Sequence, residues 1–168
     1  CADEFERHLQ AAHLSNDLPA AYIIESVMCC GGQVFLPDGY LKSMYKLARS
    51  CGAVTIADEV QTGFGRLGHS YWAFESHGVV PDIVTVGKPF GNGMPLAAVV
   101  TTSAIAETSA DCEYFNTFGG NPASCAGGLA VLNEVRDQHL QQNALEVGTH
   151  LLSGLAKLAQ RHAIIGDV

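Results

Sequence analysis

Basic charge is what this chain has least of. Nine Lys and Arg stand against 17 Asp and Glu, for a formal net charge of −8. The nine are scattered rather than striped, which argues against nucleic acid as the main partner. Charged residues of either sign make up only 15% of the 168 positions, whereas 48% are hydrophobic, enough for one domain to bury a sizeable core. Long apolar runs are missing: no stretch of 18 apolar residues occurs, so no membrane span and no membrane partner are expected. The six Cys, at 1, 29, 30, 51, 112 and 125, contain no CxxC pair, and there is no Asn-x-Ser/Thr sequon. Reduced, intracellular thiols are therefore expected. Cys29 and Cys30 are adjacent but lack a second His/Cys cluster at ligand spacing, so no metal site is expected. The chain opens on Cys1 without an initiator Met, a signal-like apolar region or an Arg-rich transit helix, and closes on IIGDV. The expectation is a piece of a longer protein. No internal repeat or low-complexity tract is present.

What is present centres on residues 54 to 95. Two apolar, β-branched runs, VTIA at 54–57 and DIVTV at 82–86, lead into Asp58 and Lys88. Unalternating runs of this kind belong in a parallel sheet covered on both faces by helices, and ligands of such sheets sit beyond the carboxyl ends of the strands. Upstream, AAYII at 20–24 reads as a buried strand ending in another carboxylate, Glu25. Between Pro37 and Gly52 the spacing predicts a helix capped by Asp38, with Leu41, Met44, Tyr45, Leu47 and Ala48 inward and Lys42, Lys46 and Arg49 on the far face. Strand, helix and strand from Ala20 to Asp58 form a βαβ unit with parallel strands. After Lys88 the loop PFGNGMP turns the chain into LAAVVTT at 96–102, a connection too short for a crossover, so this strand should run antiparallel to its predecessor. The expected class is α/β, a mostly parallel sheet flanked by helices with one antiparallel strand.

The remaining segments are read the same way. Residues 2–14 place Phe5, Leu9 and Leu14 at helical intervals. The connection from Gly63 to Pro81 holds Tyr71, Trp72 and Phe74, and a Gly-rich aromatic loop of this length is functional or packed down on the sheet. Arg66 at its start is expected to bond loop carbonyls. Asn121 and Pro122 suit a helix start, followed by the small residues Ala123, Ala126, Gly127, Gly128 and Ala130. Residues 129–163 read as helical throughout, with Gly148 and Gly154 interrupting without breaking it.

A carboxylate and an amine delivered to one edge of a sheet suit pyridoxal 5'-phosphate. That cofactor needs a lysine amine for a Schiff base with its aldehyde and an anion that keeps its pyridine nitrogen protonated. Lys88 and Asp58 are the candidate catalytic pair. Taken alone, the two residues are read as readily as a loop-capping Asp and a solvated Lys. Nucleotide loops are excluded: GNG does not continue as G-x-G-x-x-G into a helix, and a Walker loop would need Gly where Asp82 stands and Ser or Thr where Pro89 stands.

The run ADEVQTGFGR at 57–66, with GKPFGNGMP from Gly87 placing Lys88 thirty positions after Asp58, resembles the class III aminotransferase family of fold-type I pyridoxal-phosphate enzymes. The resemblance extends from about Ala20 to Val168. It implies that Asp58 binds the pyridine nitrogen, Lys88 carries the Schiff base, Val60 packs on the ring and Gln61 reaches its phenolic oxygen. Both of the latter are chemically apt, since Val offers an apolar platform and an amide can donate to a phenolate. TFGGNP matches the family loop whose Thr bonds the cofactor phosphate of the neighbouring subunit, which implies a homodimer and gives that role to Thr117. Glu25 is a further candidate cofactor contact at its strand end. The family's large domain has a seven-stranded sheet. Residues 1–168 correspond to part of that cofactor-binding domain, without the upstream phosphate loop and ring-stacking aromatic or the C-terminal small domain with its carboxylate-binding Arg. A segment of this extent is not expected to turn over alone.

The implied activity is transfer of an amino group from a primary amine or amino acid to a keto acid. One departure bears on substrate. Where ω-amino-acid transaminases of the family carry a second Glu in E-P-x-Q-G-E-x-G, this chain reads ESVMCCGG, with Cys30 in that place, and a thiol cannot neutralise a guanidinium as a carboxylate does. CGGQ together with PDIVTVGKPFGNG looks like the alanine-glyoxylate aminotransferase-like branch that includes phospho-lyases, which eliminate phosphate and ammonia from phosphoethanolamine or phosphohydroxylysine. A non-catalytic assembly module is the alternative of another class. The implied compartment is the cytoplasm, or the mitochondrion if a presequence precedes Cys1.

Overall fold

The computed structural model describes residues 2–168. Four strands, β1 (Ala21–Glu25), β2 (Val54–Asp58), β3 (Ile83–Val86) and β4 (Ala98–Thr101), form one sheet in sequence order. β1, β2 and β3 are parallel, while β4 pairs antiparallel with β3. The expected class therefore holds, including the reversed last strand.

Helix α1 (Ala2–Ser15) and helix α2 (Tyr40–Ser50) lie on one face of the sheet. Leu41, Met44, Tyr45 and Ala48 of α2 are buried against Thr55 and Ala57 of β2. Tyr22 of β1 meets Phe5 of α1 and Tyr45 of α2, with ring centroids 5.5 and 6.2 Å away. Because strand side chains alternate, the opposite face carries Ile23, Ile56, Ile83 and Val99. Among the described residues that face is only partly covered, with Ile23 59% and Val99 66% exposed, which departs from the fully covered sheet expected.

Three other local expectations fail for identifiable reasons. Asp38 does not cap α2; Gly39 does so from the left-handed region at φ 73, with no side-chain bond. Leu14 is 91% exposed, because the apolar stripe of α1 turns away from it after Leu9. The last helical stretch is two helices, α4 (Pro122–Asp137) and α5 (Leu140–Ala159), following a short α3 (Ser103–Ser109). Their junction is His139, at φ 51. The break lets α5 dock on the 65–68 loop: Gln141 Nε2 donates to the Gly68 carbonyl at 2.9 Å, and a Cβ on Gly68 would come within 2.6 Å of the Leu145 backbone. Asn121 caps α4 as expected, accepting from the Ser124 amide at 2.9 Å.

The amino ends of the strands are fastened by one polar cluster. Arg49, expected on the solvent face of α2, instead reaches Asp82 Oδ1 at 3.0 Å, the Val80 carbonyl at 2.7 Å and Thr55 Oγ1 at 3.0 Å. Thr55 donates its amide and its hydroxyl to Asp82 Oδ2, both at 2.7 Å. Burial alone would raise the Asp82 carboxyl, but the Thr55 bonds and the Arg49 guanidinium outweigh it and hold it below the usual carboxylate range. A carboxylate with a depressed folded-state pKa contributes stability above its unfolded value and loses it as pH falls through the folded one. Asp82→Asn should cost about 1–2 kcal/mol at neutral pH and flatten the loss of stability below about pH 4. Urea denaturation of both proteins at pH 7 and pH 3 measures this, and an equal pH slope would show that Asp82 is not the titrating group.

Candidate active site

The carboxyl ends of β1, β2 and β3 set a row of polar side chains side by side. Glu25 pairs with Asp58, and Asp58 with Thr85, so with strands about 4.8 Å apart the row spans about 10 Å. Just past the strand Glu59 is buried, while Val60 lines the same cavity as Thr85. Asp58 Oδ1 accepts the Val60 amide at 3.0 Å, and among the described residues no other hydrogen bond or ion pair engages this carboxylate.

β3 ends one residue before a change of backbone hand. Gly87 is extended, and Lys88 then lies at φ 37, a left-handed conformation that non-glycine residues adopt at a cost. It opens a tight turn, Lys88–Phe90. The Lys88 side chain is exposed and, among the described residues, makes no ion pair. The two strand tips touch: a Cβ on Gly87 would lie 3.5 Å from Val60 Cγ1. The residue before Lys88 is thus in contact with the residue two after Asp58.

Glu59 is the functional residue that sequence reasoning missed. It is fully buried, and its carboxylate accepts from the Thr62 hydroxyl at 2.9 Å and from the amides of Ala73 and Phe74, each at 3.0 Å. Its own amide donates to the Thr85 carbonyl at 3.0 Å. One side chain therefore anchors the strand tip and folds the 60–75 loop back onto it. The available signal was a second carboxylate inside an apolar strand end, which is buried only when bonded.

The segment after β1 closes the site from the side. Met28 and Val34 form a two-residue bridge, and at the tip of this small hairpin the Cys29 amide donates to Glu25 Oε2 at 3.0 Å. Gln61 Nε2 donates to Cys30 Sγ at 3.2 Å. Burial, with the Glu25 carboxylate and Cys30 beside it, pushes the Cys29 thiol up, while Lys88 and Arg66 pull the other way. Glu25, Cys30, Gln61, Lys88 and Arg66 thus gather around the Cys29–Cys30 tip. Arg66 is exposed and bonds no loop carbonyl among the described residues, contrary to expectation, because the Glu59 anchor and the aromatic cluster already fold the loop.

Beside Val60 and Thr85 opens a cavity of about 1030 Å³ bounded by Val99 of β4 and the loop from Tyr114 to Asn121. Asp58 and Lys88 are not on its wall, and Asp58 is one strand further from β4. Thr117 is exposed; its neighbours Asn116 and Phe118 line the cavity, but Thr117 itself does not. The structure therefore gathers Glu25, Asp58, Val60, Gln61 and Lys88 at one edge and leaves Thr117 facing outward. Among the described residues no cluster of three His, Cys, Asp or Glu suits a metal ion, and no helix is long and apolar enough to cross a membrane.

The chain is a mostly parallel α/β sheet with a carboxylate and a lysine beyond adjacent strand ends, and comparison with known proteins places it in a family. Residues 1–168 match the family Aminotransferase class-III, and the chain belongs to that family. It is 51% identical over 150 residues to alanine–glyoxylate aminotransferase 2, mitochondrial, of Homo sapiens, covering 89% of this chain and 29% of that protein. It is 52% identical over 151 residues to alanine–glyoxylate aminotransferase 2-like of Drosophila melanogaster, covering 89% and 31%. The chain thus spans under a third of these relatives. A phospholyase from Arthrobacter, solved in complex with phosphoethanolamine, superposes with a TM-score of 0.90 at 34% identity, over 95% of this chain and 38% of that one.

Removing the Glu59 carboxylate leaves two buried amides and a hydroxyl without an acceptor, so Glu59→Ala should destabilise the protein by about 3 kcal/mol or more. Thermal unfolding measures it, and a loss under about 1 kcal/mol would show that the strand tip is not anchored there.

Proposed function

We propose that the protein carrying this segment is a pyridoxal-phosphate-dependent transaminase that moves an amino group from a primary amine or amino acid to a keto acid. One observation carries the reading: at adjacent strand ends of a class III aminotransferase chain, an amine and a carboxylate stand without a charged partner among the described residues. The donor set fits the cofactor. Lys88 has a free amine, Asp58 keeps an oxygen to spare, and Val60 offers an apolar surface beside the Gly87 backbone.

When bound, pyridoxal phosphate supplies an electrophilic aldehyde and a ring able to accept an electron pair. The residues do the rest. Lys88 Nζ would hold the group at its aldehyde, and as a free amine would serve as the base for the substrate C–H proton. The Asp58 carboxylate would keep the ring nitrogen protonated, Val60 would give the ring an apolar face, and the Gln61 amide, which now donates to Cys30 Sγ, would donate to the phenolic oxygen. Glu25 fixes the hairpin that borders the ring. Thr117 binds the cofactor phosphate of a neighbouring subunit in a homodimer, which accounts for an exposed hydroxyl in a loop whose flanking residues face the cavity. The segment is part of the large, cofactor-binding domain. The mitochondrial name of the human relative favours that compartment over the cytoplasm.

Elimination of phosphate and ammonia from a phosphorylated amine is the second reading. It is favoured by the likeness to the phosphoethanolamine-bound phospholyase and by Cys30 standing where ω-amino-acid transaminases carry Glu. The same Lys88 and Asp58 would serve it.

In the whole protein, Lys88→Ala should abolish the visible absorption of the bound cofactor and the pyridoxyl adduct that borohydride traps on the chain; an unchanged spectrum and adduct would refute the assignment. Asp58→Ala should leave the adduct on Lys88 but slow turnover at least about a hundredfold. Near-normal turnover would remove Asp58 from the ring nitrogen. Assaying keto-acid formation against phosphate release in the wild type decides between the two reactions.

A further inference from the structure

Among the non-glycine residues near the site that lie in the left-handed region are Lys88 at φ 37 and Phe64 at φ 66. Such a conformation persists only where the surroundings over-determine it, and here the two are joined by a single contact. The Phe90 ring, closing the turn that Lys88 opens, stacks on Phe64 with centroids 5.2 Å apart and planes 12° from parallel. Phe64 is itself held edge-on by Trp72 at 5.1 Å and by Tyr71 at 6.0 Å, within the loop that Glu59 anchors. The backbone of α4 also approaches Phe90 closely: a Cβ on Gly128 would stand 3.3 Å from Phe90 Cε2 and would collide with Leu96. The turn is completed by the Phe90 amide donating to the Gly87 carbonyl at 3.0 Å.

We propose that Phe90 is a positioning residue for Lys88: packed against Phe64 and the glycine-lined surface of α4, its ring holds the Lys88 backbone in the left-handed turn that aims the amine at the cofactor. The proposal rests on the reading of Lys88 as the amine that binds the cofactor. Without the ring, the turn relaxes toward an ordinary helical or extended φ, and the amine spends less time where the aldehyde carbon lies. The loop after β2 and the loop after β3, which carry the groups for opposite ends of the ring, then lose the contact that sets their separation.

The test uses the whole protein loaded with pyridoxal phosphate. Phe90→Ala should weaken cofactor retention about tenfold by equilibrium dialysis and shift the pH midpoint of the bound cofactor's visible absorption by about one unit. Phe90→Tyr, which keeps the stack, should match the wild type in both. Phe74→Leu serves as control, since Phe74 stacks on Trp72 in the same cluster at 6.4 Å without touching Phe90; it should lower thermal stability and leave dialysis and titration unchanged. If Phe90→Ala does not fold, Phe90→Leu supplies the same comparison. A Phe90 truncation that behaves as wild type, or a Phe74→Leu variant that shifts the titration equally, overturns the proposal. Borohydride trapping separates this failure from that of the underlying reading: an adduct on Lys88 in the wild type leaves the cofactor assignment intact whatever Phe90 does, whereas its absence removes the assignment and the role of Phe90 with it.

Discussion

The site depends on a carboxylate that takes no part in it. Glu59 sits fully buried between Asp58 and Val60, at the tip of β2. The three bonds it accepts from Thr62, Ala73 and Phe74 bring the loop after β2 back under the strand tip. A buried carboxylate without those partners would cost more than the loop returns, so strand end and loop fold together or not at all. Asp58 is held in place by the residue that follows it, and its carboxylate stays available.

The two ends of the sheet are built on opposite principles. At the amino ends, Arg49, Asp82, Thr55 and the Val80 carbonyl satisfy one another nearly completely. At the carboxyl ends, among the described residues, Lys88 has no charged partner, Asp58 uses one oxygen, and Gln61 rests on a thiol, a weak acceptor. Backbone strain gathers there too, at Phe64 and Lys88. Unspent polar groups and left-handed non-glycine residues destabilise a fold, and they persist where the surrounding packing holds them. Here that packing is the aromatic cluster of Phe64, Tyr71, Trp72 and Phe90. The long loop expected to be functional or packed down is packed down, anchored by Glu59 and its own aromatic cluster.

What could be read beforehand was what local pattern determines. The unalternating runs at 54–57 and 82–86 became adjacent parallel strands, and the short connection after Lys88 forced β4 to reverse. The places of Asp58 and Lys88 at the strand ends were legible from the apolar runs before them, while the chemistry expected of them came from the long DEVQTGFGR and GK match. What stayed hidden was set by distant contacts. Glu59 looked like one more polar residue at a strand end until Ala73 and Phe74, fourteen and fifteen positions on, came to meet it. The break at His139 follows from the docking of Gln141 and Leu145 on Gly68, which helical periodicity does not report. Asp38 obeyed a capping preference that Gly39 overrode, and Arg49 left the solvent face predicted for it because Asp82 lay within reach.

The central claim is geometric: Asp58 and Lys88 address opposite ends of one ring. A crystal structure of the whole protein with its cofactor tests it most directly. The account predicts continuous density from Lys88 Nζ to the cofactor and an Asp58 carboxylate oxygen about 2.7–3.2 Å from the ring nitrogen. A ring nitrogen facing another group, or a cofactor joined to a different amine, would contradict it.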